Sequence, residues 1–280
     1  MSSEYPRRTI KTQTMLIKLT SKCTMGCAHC MEDAREDGDV MTMEAFKQAV
    51  LFGLYIRCGV FGLSGGEPTE NEEFADMCEW LDATVHKMGP VFFIVSNGMW
   101  LKDERKRKCV ERICRMPSFS GMQVYTNRLW YREYDYVTSH RAEYERYPHV
   151  FVDADSKIFM QDLGRARISE AAQQEAAKNP YFMSCLNAAL CARQVANPSD
   201  FGFTLALQAK FCKPQVDALG FVHMSESRLC PNVGNVCTDD FADIWRRMRE
   251  FRPCGGCRGY RNFIESQRPD IARAKEVLGV

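Results

Sequence analysis

Cys23, Cys27 and Cys30 fall within the eight residues CTMGCAHC, and Cys254 and Cys257 form a second close pair, CGGC. Thiolates are soft ligands that select zinc and iron–sulfur clusters. A C-x3-C-x2-C array suits a cubane cluster better than zinc. Structural zinc sites take four ligands, usually from two C-x2-C pairs, and the fourth is missing locally. A 4Fe–4S cluster held by three thiolates leaves one iron without a protein ligand, and an open iron is a place for chemistry. Spacing alone leaves a structural site open as the alternative. Cys212 and Cys230 stand 18 apart and, with CGGC, supply four thiolates. Four close one further cluster or one zinc, and in isolation zinc is the favoured reading. The remaining cysteines, Cys58, Cys78, Cys109, Cys114, Cys185, Cys191 and Cys237, read first as small buried hydrophobes. Cys237 is a spare ligand ranked below Cys230. Cys185 and Cys191 lie between the two cysteine groups, and Cys185 is a candidate catalytic residue.

Fourteen cysteines in 280 residues are too many for an ordinary chain, and the setting decides what they mean. No apolar run approaches the roughly 18 residues of a membrane span, and the N-terminus, MSSEYPRRTIKTQT, lacks the apolar centre of a signal peptide. The expected location is therefore the cytoplasm, where such cysteines mean metal or redox chemistry rather than disulfides. Hydrophobic residues make up 45% and charged residues 26%, and 37 basic against 36 acidic residues leave a formal charge of +1. That balance gives no global field toward nucleic acid or anionic lipid. Neither is expected as a partner. The basic run 102–108, KDERKRK, reads as a solvated helix face.

The elements that must position the cysteines alternate. A strand over 15–20 delivers the chain into the cysteine loop. Thr42 caps a helix over 43–57, with Phe46, Val50 and Leu54 at helical spacing. A strand over 60–63 ends in Ser64-Gly65-Gly66-Glu67-Pro68. A helix over 72–87, a strand over 91–95 with a Ser96-Asn97-Gly98 turn, a helix over 103–115, a strand over 121–125, helical residues over 130–147 and a strand over 150–153 follow. Strands separated by helices imply right-handed βαβ units and a parallel sheet or barrel. After Gly164 this rhythm stops: an Ala-rich helix over 169–178 breaks at Asn179-Pro180, and short strands and turns follow. The boundary falls near 165–180, giving domains over 1–168 and 169–280.

The cysteine array after the first strand, GGEP after the second and SNG after the third resemble the radical S-adenosylmethionine superfamily over most of the chain. The resemblance implies an α/β fold, a partial (β/α)6 TIM-like barrel followed by a small cysteine-rich auxiliary-cluster domain. It implies that Cys23, Cys27 and Cys30 ligate three irons of a 4Fe–4S cluster and that S-adenosyl-L-methionine chelates the fourth. Gly65, Gly66 and Glu67 would meet its methionine ammonium, His29 its adenine, and Ser96 and Asn97 its ribose or methionine end. The implied chemistry is one-electron cleavage to a 5′-deoxyadenosyl radical, which abstracts hydrogen from an unactivated C–H bond. Arg165, in Gly164-Arg165-Ala166, is a candidate catalytic residue, as an anion clamp or proton acceptor. The order Cys212, Cys230, Cys254, Cys257, with Gly220, Gly234-Asn235 and Ile244-Trp245 between, resembles the twitch domain, the short form of the SPASM extension. It implies a second, auxiliary 4Fe–4S cluster, an electron acceptor that makes the net reaction an oxidation. No cysteine follows Cys257, unlike full SPASM. A flavodoxin- or ferredoxin-type electron donor is the implied partner.

Three functions compete: oxidation of a small polar metabolite, such as a carbohydrate; modification of a ribosomally made peptide; and a non-catalytic zinc or iron–sulfur interaction protein. Only 22 residues precede Cys23, too few for the peptide-recognition domain that many peptide maturases carry. That favours the small metabolite. The aromatic residues Trp130, Tyr131, Tyr134, Tyr136, Tyr144 and Tyr147 either line a substrate cavity or simply pack.

Overall fold

A computed structural model describes residues 13–154, 164–177, 214–224 and 231–250. Eight strands form one sheet: β1 (Gln13–Lys18), β2 (Cys58–Ser64), β3 (Val91–Ser96), β4 (Phe119–Thr126), β5 (Val150–Ala154), β6 (Gln215–Val216), β7 (Phe221–His223) and β8 (Asn232–Asn235). Their order is β5-β4-β3-β2-β1-β6-β7-β8. The first five are mutually parallel, and β6 joins β1 in parallel. Hairpin strands β7 and β8 then run antiparallel. The expected α/β fold with a parallel sheet is present, and β6 to β8 extend the same sheet past β1.

Helices α1 (Met43–Tyr55), α2 (Phe74–Val85) and α3 (Glu104–Ile113) follow β1, β2 and β3. Thr42 caps α1 as expected, its side chain accepting from the Ala45 N–H at 3.2 Å. Asp103 does the same for α3 through the Lys106 N–H, at 3.1 Å. Each cap satisfies one of the donors a helix start leaves unpaired. Alternation in the strands sends Ile17, Leu63, Ile94, Met122, Val150 and Val216 to the helix side, where all are buried in one core with Phe46 and Val50 of α1. Gly53 of α1 lets that helix seat: a Cβ there would stand 2.4 Å from Phe61. The basic residues of α3 pair with carboxylates, Lys106 with Glu70 at 2.6 Å and Lys108 with Glu104 at 2.7 Å, which makes that run a solvated face.

The helical stretch over 130–147 is two short pieces, α4 (Tyr134–Ser139) and α5 (Arg141–Tyr144). Two local competitors explain the break. The Asn127 side chain accepts from the Leu129 N–H at 2.9 Å and holds the preceding residues in a turn. The Thr138 and Ser139 hydroxyls bond back to the carbonyls of Tyr134 and Tyr136, a pattern that bends helices. Two further helices among the described residues are α6 (Glu170–Ala177) and α7 (Phe241–Glu250). Among the described residues no helix is long and apolar enough to cross a membrane.

Candidate active site

The loop between β1 and α1 is pinned by its own backbone. The Ser21 N–H donates to Asp39 O, Arg35 N–H to Ser21 O, and Cys23 N–H to Arg35 O, at 2.8–3.0 Å. Gly38 permits this pairing, since a Cβ there would lie 2.4 Å from Ser21 O. The three cysteines project from the tip, half-buried. Backbone N–H groups of Met25 and Ala34 donate to Cys23 Sγ and Cys30 Sγ, both at 3.5 Å. Asn97 Nδ2 donates to Cys23 Sγ at 3.7 Å, so the end of β3 reaches the cysteine loop. Burial pushes the Cys27 thiol up to about 12, with the neighbouring Cys23 and Cys30 adding to it. Burial also raises Cys23.

Cys23 and Cys27, both raised by burial, need a cation to become thiolate ligands, and a bound metal deprotonates a coordinating thiol outright. Among the described residues no three Cys, His, Asp or Glu side chains stand near enough to share one metal ion. N–H donors to sulfur are among the features that tune iron–sulfur clusters. The donor set therefore fits iron–sulfur ligation.

Gly65, Gly66 and Glu67 leave β2 and clamp onto this loop. The Gly66 N–H donates to Thr20 O at 2.7 Å and the Glu67 N–H to Lys22 O at 2.8 Å. A Cβ on Gly66 would stand 2.2 Å from Lys22 O, and one on Gly65 2.3 Å from Thr20 O. The bare backbone is needed by the chain's own loop before any ligand arrives. The Glu67 side chain is almost wholly buried. Its carboxylate accepts from the Asn97 N–H (2.7 Å), Ser96 Oγ (2.9 Å), Thr69 Oγ1 (2.8 Å) and the Thr69 N–H (3.3 Å). Burial raises its pKa, against the pull of those donors. Glu67 thus staples the ends of β2 and β3 together, and Ser96 and Asn97 are positioned by it.

His29 is buried, its ring 5.6 Å from Trp130 and 5.1 Å from Tyr131. Burial, reinforced by Arg165, lowers its pKa to about 4, so the imidazole is neutral at ordinary pH. Arg165 does not stand apart from the cysteine loop. Its Nε donates to Cys27 O at 2.9 Å, its guanidinium to Ala34 O at 2.7 Å, and its N–H to Cys30 O at 2.9 Å. Gly164 before it has φ +52°, and a Cβ there would be 2.6 Å from Cys30 O. Trp130 and Tyr131 were separable from the other aromatics only through their contact with His29. Tyr144 and Tyr147 instead pack edge-on against Trp100.

Sequence reasoning missed three parts of the site. Lys18, on the sheet face opposite the helices, pairs with Glu32 at 2.9 Å. Gln123 Nε2 donates to Asp153 Oδ2 at 2.5 Å on the same face. Asn71 Nδ2 donates to Leu19 O and Met41 O, closing the base of the loop. None has a local sequence signal. Cys185, Cys191, Cys212, Cys230, Cys254 and Cys257 lie outside the described residues. Cys237 is exposed, beside the turn at Gly220, whose Cβ would lie 3.1 Å from its Sγ.

No protein-family model matches the chain. No curated protein matches it either. Solved structures do. BtrN in complex with AdoMet and 2-DOIA matches with a TM-score of 0.55 at 15% identity, over 86% of this chain and 85% of that one. Native anSMEcpe with bound AdoMet and Cp18Cys peptide matches at 0.52 and 16%, over 86% and 82%. Streptococcus suis SuiB bound to precursor peptide SuiA matches at 0.52 and 13%, over 84% and 64%. At these identities the likeness is one of fold. The chain shares the fold of these structures and carries its cysteine array on the loop after the first strand.

Proposed function

We propose that the chain is a radical S-adenosylmethionine enzyme that oxidises a small polar metabolite. The observation that carries this reading is the meeting, at the C-terminal ends of three parallel strands, of the cysteine loop, the Gly66–Glu67 clamp and Asn97, which donates to Cys23 Sγ at 3.7 Å. Strand ends of this kind are where barrel folds place their chemistry. Cys23, Cys27 and Cys30 would hold the cluster, and Gly66, Ser96 and Asn97 would line the S-adenosyl-L-methionine site. Together the two cofactors supply hydrogen-atom abstraction when bound.

The chain's own work is positioning. Arg165 neutralises the carbonyls of Cys27 and Ala34 and fixes the loop. Glu67 holds Ser96 and Asn97 at the rim. His29, neutral and wedged against Trp130 and Tyr131, offers a flat apolar face to an adenine. Leu16 and Phe93 would both crowd a Cβ on Gly62, so the sheet face opposite the helices is closely packed there. Cys212, Cys230, Cys254 and Cys257 form the auxiliary cluster site in this reading, and a flavodoxin- or ferredoxin-type protein delivers the electron.

A second reading, peptide modification, is favoured by one observation: anSMEcpe and SuiB were each captured with a peptide. The superfamily reading is tested by electron paramagnetic resonance of the anaerobically reconstituted, dithionite-reduced protein. A reduced-cluster signal that shifts on adding S-adenosyl-L-methionine, and is lost from the Cys23→Ala, Cys27→Ala, Cys30→Ala triple variant, is expected. A signal indifferent to both changes would refute it.

A further inference from the structure

Gln215 and His223 face each other across β6 and β7, and Gln215 is also the register partner of Leu16 on β1. Gln215 is wholly buried and His223 is 9% exposed. Neither Gln215 Nε2 nor Gln215 Oε1 has a hydrogen-bond partner, and His223 Nδ1 has none. Buried polar groups are nearly always satisfied, and an orphaned one is costly. Three orphaned atoms on one facing pair are not a packing accident.

The other half of the arrangement is fully engaged. His223 Nε2 bonds Asp217 Oδ2 at 2.9 Å. Asp217 Oδ1 accepts from the Leu219 and Phe221 N–H groups, both at 3.0 Å. Burial would raise Asp217, but the His223 bond and these N–H groups outweigh it and hold the carboxyl below its usual range. In the neutral ring the bond to the Asp217 carboxylate puts the proton on Nε2 and makes Nδ1 the acceptor. The ring is aimed, and its free nitrogen has nothing to accept from.

We infer that Gln215 and His223 form a substrate subsite that binds a hydroxyl group, the hydroxyl donating to His223 Nδ1 and bonding the Gln215 carboxamide. Facing side chains on paired strands have Cβ atoms about 4.5–5.5 Å apart. A hydroxyl oxygen donates and accepts at once, and so can serve both side chains. The subsite lies on the sheet face opposite the helices, on the strand next to the one that carries the cysteine loop. It rests on the reading of the chain as a small-metabolite enzyme and names the substrate class for it.

The test uses the full-length, anaerobically reconstituted protein with 15N-histidine, the His223 signals being assigned by their loss in His223→Gln. The bare-Nδ1 tautomer is expected. Titration with myo-inositol should shift the Nδ1 resonance saturably, and about tenfold more weakly in Gln215→Met. Triglycine amide should leave it unmoved. Without polyol, Gln215→Met should melt about 2 to 4 °C higher than wild type, because it removes orphaned polar atoms. A protonated Nδ1, no saturable response to myo-inositol, a response to triglycine amide instead, or a lower melting point for Gln215→Met would each overturn the inference. The readout is a ring nitrogen and not turnover. Failure to cleave S-adenosyl-L-methionine would sink the proposed function and leave this result legible by itself.

Discussion

Glu67 is the test of how the site is held together. Its carboxylate accepts four hydrogen bonds at 2.7–3.3 Å while almost fully buried. Glu67→Ala strands the Asn97 and Thr69 N–H groups and two hydroxyls, the kind of network loss that costs about 3–5 kcal/mol. At about 2–4 °C per kcal/mol, the melting point should fall by roughly 6–20 °C. Glu67→Gln is gentler. Its oxygen can keep the Asn97 N–H, and the Ser96 and Thr69 hydroxyls can turn to accept from the new amide. Only the Thr69 N–H, already at 3.3 Å, is left unpaired. The expected cost is about 1–2 kcal/mol.

The pH profile supplies the sign. Burial raises the folded pKa of Glu67 above its unfolded value of about 4.3. A raised carboxyl contributes stability that is complete below about pH 4.3 and is lost as pH rises through the folded pKa. Gln cannot titrate, so the gap between wild type and Glu67→Gln should be widest in acid and narrow as pH rises. Differential scanning calorimetry from pH 4 to 8 measures it. A Glu67→Ala protein that melts within about 2 °C of wild type, or a gap that widens with pH, would refute the staple.

Arg165→Lys should lose iron several times faster than wild type when challenged with a chelator, because an ammonium cannot span Cys27 O and Ala34 O as the guanidinium does; equal loss rates would return Arg165 to a purely catalytic role. Phe46→Ala, which opens a cavity between α1 and the sheet, should cost about 3–5 kcal/mol in denaturant unfolding. Asp217→Asn should be less stable than wild type at neutral pH, and the deficit should shrink below about pH 3.9, since a depressed carboxyl contributes stability lost as pH falls. Cys254→Ala with Cys257→Ala should halve the reconstituted iron, from about eight atoms to about four; an unchanged iron content would remove the auxiliary cluster.

What was legible in the sequence was local. Thr42 and Asp103 announce helix starts because a cap acts on an N–H within three residues. The cysteine array is legible because its spacing is the chemistry. Arg165 was a candidate from its sequence neighbours, but its partners Cys27 and Ala34, more than 130 residues away, were not legible there. Glu67 stands in GGEP, but two of its four donors, Ser96 Oγ and the Asn97 N–H, come from the end of β3, a choice that only tertiary packing makes. The helix over 130–147 was over-extended because the side-chain turn at Asn127 and the hydroxyl back-bonds outweigh helical spacing. The Gln215–His223 pairing needed the register of two short strands, which two or three residues cannot specify alone.

The central claim is that three cysteines on one loop run radical chemistry on S-adenosyl-L-methionine. It is tested most directly by quantifying 5′-deoxyadenosine after anaerobic incubation of the reconstituted protein with S-adenosyl-L-methionine and dithionite. Wild type is predicted to accumulate 5′-deoxyadenosine and methionine in equal amounts, and the Cys23→Ala, Cys27→Ala, Cys30→Ala variant none above the protein-free control. Equal yields from the two proteins, or none from a wild type that carries its full iron, would contradict it.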